Sequence, residues 1–355
     1  MKLGLIGFGK SAHRYHLPFI DNAMDNGESC FEVIGYYTRG SRQFDMPYPN
    51  LPSDLTRFEQ LDDLLASEAD VIVITTPAST HFEFAKAAIA AKKHVVVEKP
   101  FCDTLDQAKT LYALAQEAGV KITPYQNRRF DSDFLMLKHV LERDDIGEVM
   151  EIESNHTHYR TDGVSHQGNQ YDGSVYGHAV HFLDQIVSLY GEPDDMVFDL
   201  ANQKNAFLGT GQEMGFDPQT GLGFPEDHYD IKLIYGKLRV RVRFSQLVVK
   251  APPRWIINST QATFEKYDID QQERDLKQGI FLDSPTFGHD LESGRGMLYF
   301  QDKSEQIPAI YQHYTGFYQA VYQAIKHDKP MPVSQQQALT VMKLMENIVT
   351  TKPSN

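Results

Sequence analysis

The sequence predicts a two-domain α/β protein: an N-terminal domain with a parallel sheet between helices, and a C-terminal α+β domain with an open, mainly antiparallel sheet. The chain has 355 residues, which is more than a single hydrophobic core usually serves. The pattern of apolar runs also changes after the first third, from strands that alternate with helices to longer strands in succession. We therefore place the domains at residues 1–123 and 124–355.

The first third alternates short apolar runs with helical patterns, which is typical of a parallel sheet buried on both faces. The predicted strands are Lys2–Ile6, Phe31–Tyr37, Val71–Thr75, His94–Val97 and Lys121–Thr123. The predicted helices are His13–Ala23, Arg57–Ala66, Thr80–Ala91 and Leu105–Ala118. Thr80 and Glu83 have the spacing of a capping box, and Gly119 is placed to end the last of these helices.

The remainder combines helices with successive strands, as in an open sheet covered on one face. The predicted helices are Ser132–Arg143, Val175–Tyr190, Tyr311–His327 and Ser334–Thr350. The predicted strands are Val149–His158, Asp194–Leu200, Asp230–Tyr235, Leu238–Val249 and Trp255–Ile257. The polar stretches Arg160–Gly173 and Asn202–Asp227 are long enough for binding loops or lids. We expect the helices within 311–350 to pack back toward the first domain.

Composition excludes several classes of partner. A net charge of -14 argues against nucleic acid, which binds a basic face. No stretch approaches the ~20 apolar residues that span a bilayer, and the opening residues lack the features of a signal peptide. With Cys30 and Cys102 alone, a disulfide framework is not expected. We expect a cytoplasmic protein.

A glycine-rich loop follows the first strand and precedes a helix. Gly7, Gly9 and Ala12 form G-x-G-x-x-A, the fingerprint of a Rossmann domain. The first glycine permits a tight turn, the second admits a pyrophosphate, and the alanine lets helix and strand pack closely. Lys10 and Ser11 complete the loop, and the phosphates are expected at the helix N-terminus.

The same stretch also satisfies the P-loop pattern, because Gly4 to Ser11 reads G-x-x-x-x-G-K-S. A P-loop follows a complete strand, and three residues precede Gly4. We therefore favour the dinucleotide loop, and keep a phosphotransferase as the weaker alternative.

The end of the second strand indicates which dinucleotide binds. NAD-binding domains carry an acidic residue there for the ribose 2′-hydroxyl. In this sequence Thr38, Arg39 and Arg42 occupy the region, and guanidinium groups match a 2′-phosphate. NADP is therefore predicted, with NAD as the alternative.

A lysine ends the strand His94–Val97, in the run Glu98-Lys99-Pro100. Ligands of open α/β sheets bind outside the carboxyl ends of the strands. A lysine beside an apolar floor can exchange a proton with a carbinol oxygen. Lys99 is therefore a candidate acid/base, although a turn lysine is often merely solvated.

Several motifs together resemble the glucose–fructose oxidoreductase, inositol dehydrogenase and MocA (Gfo/Idh/MocA) family. They are Gly7–Ala12, Thr75-Thr76-Pro77 with His81, the run Ala90–Pro100, and Asn127-Arg128-Arg129-Phe130. The resemblance implies that Lys99 is catalytic or orients substrate. It also implies that Thr76, Pro77, His81, Glu98 and Asn127 lie around the dinucleotide or the cleft.

The family's second signature is an aspartate four residues before a histidine on a helix of the substrate domain. His181 fits the histidine, but Gly177 takes the aspartate's place. The resemblance implies an acid/base role for His181, and Tyr176 or His178 could replace the missing carboxylate. On a helical wheel His181 shares a polar face with Asp184 and Gln185.

Histidines at 156, 158 and 166 raise the possibility of a metal site with His181. We nevertheless expect that the protein binds no metal ion.

These features predict an NAD(P)-dependent oxidoreductase that transfers a hydride between nicotinamide and a hydroxyl or carbonyl carbon. The resemblance implies a polyol, sugar or cyclitol, compatible with a cleft that contains Asn127, Arg128, Tyr159, Arg160 and His181. The alternative is a catalytically weakened sensor or scaffold of the same fold, which Gly177 favours. A homodimer or higher homo-oligomer is expected through a large apolar face of the open sheet.

Overall fold

The computed structural model describes residues 1–40, 47–51, 55–161, 168–209, 214–216, 219–220, 222–290 and 294–351. The chain divides into two compact units. The first comprises Met1–Asp131, Gln271–His289 and Gln312–Met342. The second comprises Ser132–Asp270, Asp290–Tyr311 and Lys343–Asn355.

The first unit is built on a six-stranded parallel sheet. Its strands in spatial order are Thr56–Phe58, Glu32–Tyr37, Lys2–Ile6, Val71–Ile74, His94–Val97 and Ile122–Pro124. Its helices are Leu17–Asp21, Leu61–Ala66, His81–Ala90, Leu105–Ala118, Gln272–Lys277 and Thr315–Lys326, with a π turn at Ala12–His16. The central strands are fully buried, as expected for a sheet covered on both faces.

Later chain segments belong to the first unit, where they bind residues that flank its last strand. The Lys121 ammonium donates to the Ala324 carbonyl at 2.7 Å, and the Arg129 guanidinium donates to the Pro332 carbonyl at 2.7 Å. A boundary at 123/124 treats each domain as one stretch of chain, whereas the compact unit includes these later residues. The reason is long-range hydrogen bonding that sequence periodicity does not report.

Two local predictions in this unit are wrong. Residues 56–58 form an edge strand, because Arg57 pairs with Tyr36 in parallel register, so the helix is limited to Leu61–Ala66. Thr80 does not cap the next helix; its hydroxyl donates to the Pro77 carbonyl instead, at 2.7 Å. The helix Leu105–Ala118 matches its prediction and ends at Gly119, whose φ is 72°.

The second unit is built on an eight-stranded sheet, antiparallel except for one pair of neighbours. Its strands in spatial order are Asp195–Ala201, His228–Tyr235, Leu238–Ser245, Val149–Thr157, Trp255–Ser259, Ala262–Lys266, Gly296–Phe300 and Ser304–Ile307. Its helices are Ser132–Leu141, Val180–Tyr190 and Gln203–Leu208. A further helix, Gln335–Thr350, begins in the first unit and ends in the second. The last three strands of the sheet were not predicted.

A buried charge pair lies at the centre of the second unit. The Asp133 carboxylate, which is fully buried, accepts from the Trp255 indole at 2.7 Å and pairs with Arg254 at 3.1 Å. The Arg254 guanidinium also donates to Ser154 and to Gln185. Because a buried charge without its partner is costly, by about 3–5 kcal/mol, this pair keeps the helix that carries Gln185 on the sheet.

The other face of this sheet carries charges. Along Leu238–Ser245 the apolar residues are buried, and the arginines between them point to the opposite face. Arg241 there pairs with Asp230 and lies opposite Glu153 and Lys232. Among the described residues, the part of this face around Arg241 is therefore charged. Within the described part of the chain, no helix is both long and apolar enough to cross a membrane.

Candidate functional site: a dinucleotide loop and a buried carboxylate hub

The carboxyl edge of the parallel sheet brings most of the predicted site residues together. The first strand lies between Glu32–Tyr37 and Val71–Ile74, so the chain leaves it to one side and later returns to the other. Such a switch of direction opens a crevice at the carboxyl ends of the strands, where ligands of α/β proteins bind.

The loop after the first strand fits a dinucleotide. Gly7 has a φ of +96°, and a Cβ there would meet the Thr75 hydroxyl at 2.7 Å. Its N–H donates to the Tyr37 carbonyl at 2.8 Å. A Cβ on Gly9 would meet no described atom within 4 Å, while Ala12 is fully buried. The loop thus has the tight turn, open approach and close packing that pyrophosphate binding requires.

The residues predicted to choose between NADP and NAD lie at the end of Glu32–Tyr37. Thr38 is half-buried and Arg39 is exposed, and the Arg39 guanidinium lies 5.0 Å from the centre of the Phe84 ring. Arg42 lies outside the described residues. Nearby, Phe8 stacks on Tyr36 with ring centres 3.6 Å apart. This contact packs the loop Gly7–Ala12 against the second strand.

His81 ties two strand ends together. Its side chain is buried, and its ring nitrogens contact the Pro100 carbonyl at 2.8 Å and the Thr76 carbonyl at 2.9 Å. Thr76 and Pro77 keep exposed surface beside it. Within the predicted set, His81 therefore orders the backbone, whereas Thr76 and Pro77 face outward.

The buried Glu98 carboxylate accepts hydrogen bonds from three parts of this edge, and we call it the hub of the site. One carboxylate oxygen accepts from the Ser11 hydroxyl and from His16 Nε2 at 3.0 Å. The other oxygen accepts from the Lys99 backbone N–H at 2.8 Å. The opposite nitrogen of the His16 ring lies 2.6 Å from the Tyr318 hydroxyl. A single buried carboxylate thus joins the nucleotide loop, the first helical turn and the strand end that carries Lys99.

Two opposing effects set the protonation of Glu98. Burial alone raises the pKa of this carboxyl, but the hydrogen bond and charge of His16, the charge of Lys99 and the Ser11 hydrogen bond lower it to about 2. Hydrogen bonds to the ionised form favour that form. Glu98 is therefore ionised at neutral pH and acts as an acceptor.

Lys99 keeps part of its surface accessible to solvent, although it is set deeply in protein. Burial is the main reason that its pKa is lowered from the ordinary lysine value. The charge of Glu98 and that of Glu273 oppose this effect, and the charge of Arg128 adds to it. A lysine with a lowered pKa is suited to proton transfer near neutral pH.

Arg128 is bound by two carboxylates. It pairs with the buried Asp131 at 3.1 Å and with Glu273, and the Tyr314 hydroxyl donates to Asp131 at 2.8 Å. Asn127, next to it, is buried at the start of the same turn. Arg128 is therefore held by ion pairs, and its contact with substrate stays a prediction.

The predicted histidine of the second unit lies on a helix that is buried on both sides. His181, Asp184 and Gln185 are 7%, 1% and 0% exposed, so the polar face of the helical wheel packs against protein. The N–H of Val175, at the helix start, donates to Glu226 at 2.7 Å. Burial raises the pKa of Glu226 to about 7.

Gly177 lies in a π turn, Val175–Ala179, at the start of this helix rather than in its interior. Its N–H donates to the Gly173 carbonyl at 2.9 Å, and a Cβ would meet no described atom within 4 Å. There is thus room for a larger side chain. Tyr176, one predicted substitute for the missing aspartate, is fully buried, and its contact with substrate stays a prediction.

Three histidines of the second unit lie around the Phe244 ring. His178 stacks on Phe244 with ring centres 4.6 Å apart, and His156 and His158 lie 5.8 Å from the same ring. Within the ranges that the structure describes, no three His, Cys, Asp or Glu side chains are placed to hold a metal ion. His166 lies outside those ranges.

Tyr159 and Arg160 are exposed just after the strand Val149–Thr157. The Arg160 N–H donates to the Gln246 carbonyl at 2.8 Å, so the backbone here continues the sheet. Both side chains remain at the surface of the second unit.

Sequence reasoning missed four residues of the first unit that contact the hub or its neighbours. They are Tyr15, His16, Glu273 and Tyr318. Tyr15 and His16 lie one helical turn beyond the glycine loop, so helical spacing is the signal that could have identified them. Glu273 and Tyr318 come from segments that are distant in the chain, and no local pattern marks them.

The fold and this site define a dinucleotide-binding oxidoreductase. Residues 1–126 match the family model described as the NAD-binding Rossmann fold of an oxidoreductase family, and residues 138–352 match its C-terminal alpha/beta domain. The chain belongs to this family, GFO_IDH_MocA, and the resemblance seen in the sequence is confirmed.

Curated relatives and solved structures agree. The uncharacterised oxidoreductase YhhX of Escherichia coli is 37% identical over 96% of this chain and 94% of its own. The scyllo-inositol 2-dehydrogenase (NADP(+)) IolW of Bacillus subtilis is 26% identical over 98% and 92%. The crystal structure of an oxidoreductase from Bacillus cereus is 34% identical, with a TM-score of 0.89 over 100% of this chain and 98% of that one.

The low pKa of Glu98 predicts how Glu98→Gln changes stability with pH. Because the folded-state pKa of about 2 is below the unfolded value, the ionised group stabilises the fold above the unfolded pKa. That stabilisation is lost as pH falls toward the folded value. The variant should lose about 3 kcal/mol at pH 7 and less than half of that near pH 3.

Urea unfolding of both proteins at the two pH values measures this difference. Glu117→Gln, on the exposed side of a helix, is the control and should change little at either pH. A Glu98→Gln penalty that is equal at both pH values would contradict the assignment of an ionised hub.

Proposed function

We propose that the protein is an NADP-dependent dehydrogenase that interconverts a hydroxyl and a carbonyl group on a polyol, sugar or cyclitol. The observation that carries this proposal is the Glu98 hub, which joins the nucleotide loop through Ser11 to the backbone of Lys99. Similarity to the scyllo-inositol 2-dehydrogenase (NADP(+)) IolW supports both the cofactor and the substrate class.

The residues proposed to hold the cofactor lie along the carboxyl edge of the first unit. They are Gly7, Gly9, Lys10, Ser11, Ala12, Thr38, Arg39, Thr76, Pro77, His81, Glu98 and Asn127. Arg42, which lies outside the described residues, is proposed with them from the sequence. When bound, the nicotinamide supplies the two-electron redox chemistry, and the protein supplies orientation and charge. Arg39 is exposed and therefore able to meet a 2′-phosphate, whereas His81 acts through the backbone that it orders.

Lys99 and His181 are the proposed acid/base groups. The burial that lowers the pKa of Lys99 makes its side chain better suited to exchange a proton at the carbinol oxygen. His181 is proposed to relay a proton, because imidazole groups in general can bind and release protons near physiological pH. The open space beside Gly177 supports a substrate group, rather than a protein carboxylate, at that position.

Arg39 is predicted to make NADP(H) bind more tightly than NAD(H). Arg39→Ala should weaken NADPH binding about tenfold or more, because it removes a charged hydrogen bond to phosphate, and should leave NADH binding nearly unchanged. Fluorescence titration measures both, with the exposed Arg295→Ala as control. Equal or tighter binding of NADH by the wild-type protein would overturn the cofactor proposal.

Removal of either acid/base group is predicted to lower turnover without loss of cofactor binding. Lys99→Ala and His181→Ala should each reduce kcat by about 10²–10⁴-fold, while NADPH titration stays within a few-fold of wild type. Consumption of NADPH or NADP with a panel of polyols and sugars provides the assay. Full activity in either variant would overturn the role assigned to that residue. Absence of any turnover in the wild-type protein would favour the alternative of a catalytically weakened sensor or scaffold.

A homodimer through the open face of the second unit's sheet is also proposed. Because that face carries alternating charges, such as Arg241 beside Asp230, the association should weaken as salt screens them. Light scattering at low and high ionic strength measures the molar mass. A monomer at micromolar concentration in low salt is the contrary result.

A further inference from the structure

Two charged residues of the first unit lie at the same edge of the parallel sheet as Lys99, on separate elements. Arg128 is on the turn Asn127–Phe130, which follows the strand next to the one that ends before Lys99. Glu273 is on the helix Gln272–Lys277. Both act electrostatically on Lys99, together with Glu98, which precedes it.

The Arg128–Glu273 pair is held in place from several sides. Arg128 is anchored on the buried Asp131. Glu273 accepts from the Tyr15 hydroxyl at 3.3 Å and pairs with Lys277 at 2.6 Å. Tyr15 is itself held, because its carbonyl accepts from the Tyr125 hydroxyl at 2.5 Å. The two charges therefore have fixed positions relative to the strand ends.

Both members of the pair stay charged at neutral pH. Burial raises the pKa of Glu273, but the charges of Arg128 and Lys277 lower it well below its usual range. Burial lowers the pKa of Arg128, but Asp131 and Glu273 raise it above its usual range. Their opposite charges act on Lys99 in opposite directions.

We propose that Arg128 and Glu273 are paired positioning residues whose opposite charges adjust the protonation of Lys99, beyond the larger effects of burial and Glu98, rather than contacts for substrate. Glu273 favours the ammonium form and Arg128 favours the free amine. The pair thus opposes a shift of Lys99 toward either form alone, which suits a group that both donates and accepts a proton. This inference deepens the proposed function and rests on Lys99 as its acid/base.

The test measures Lys99 directly, in the protein without substrate. Acetic anhydride reacts with the free amine, so the rate of Lys99 acetylation against pH, followed by mass spectrometry, reports its protonation. The exposed Lys109 is the internal reference. At pH values below the midpoint of the wild-type profile, Lys99 should be acetylated at least about threefold faster in Glu273→Gln than in wild type. In Arg128→Gln it should be acetylated more slowly by a similar factor.

Matched variants separate charge from shape. Glu273→Asp keeps the charge and should stay near wild type. Asp275→Asn removes the same charge from the same helix, where Asp275 accepts from the Gly288 N–H, and should also leave Lys99 unchanged. If Arg128→Gln does not fold, because it leaves Asp131 unpaired, the Glu273 and Asp275 variants still decide the matter.

The outcomes distinguish this inference from the proposed function. A Glu273→Gln profile that coincides with those of wild type and Asp275→Asn overturns the inference. If acetylation shifts as expected and the pH dependence of kcat shifts with it, both proposals are supported. If acetylation shifts but the kcat profile does not, the positioning role stands and the acid/base role of Lys99 fails. A rise in KM with unshifted acetylation would show substrate contact instead, and would also overturn the inference.

Discussion

The first unit's site depends on one buried carboxylate. Glu98 has few solvent contacts, so its charge is tolerated because Ser11, His16 and the Lys99 backbone all donate to it. A buried charge that loses such partners is expensive. The glycine loop, the helical turn after it and the strand end with Lys99 must therefore adopt mutually consistent positions. This single requirement places the nucleotide loop and the candidate acid/base in one arrangement.

The second unit orders its histidine in a different way. The helix that carries His181 starts at a π turn whose first N–H is bound by Glu226, and farther along Gln185 accepts from the buried Arg254. The histidine's position is thus determined at both ends by residues from other elements. Gly177, in the π turn, leaves open space at the position where the sequence resemblance implied an aspartate. Substrate is the group proposed to use that space.

Charge is distributed in pairs throughout the described part of the molecule. The open face of the second sheet alternates Arg241 with Asp230, and Asp133 with Arg254 makes the corresponding pair in its interior. In the first unit Arg128 and Glu273 form a third pair, which acts on Lys99. The net charge of -14 therefore says little about any local site, because function depends on how individual charges are paired.

The sequence by itself determined what local geometry controls. The parallel strands, the loop Gly7–Ala12 and the end of the helix at Gly119 follow from periodicity and from backbone conformations that glycine permits. Motif spacing also identified the family. The tertiary structure alone decided the partners of the charged groups. Arg128 seemed available to substrate in the sequence, but Glu273, 145 residues away, binds it. Tyr318 reaches His16 across 302 residues. Electrostatic and hydrogen-bond partners depend on distance in space, which sequence patterns of a few residues do not encode.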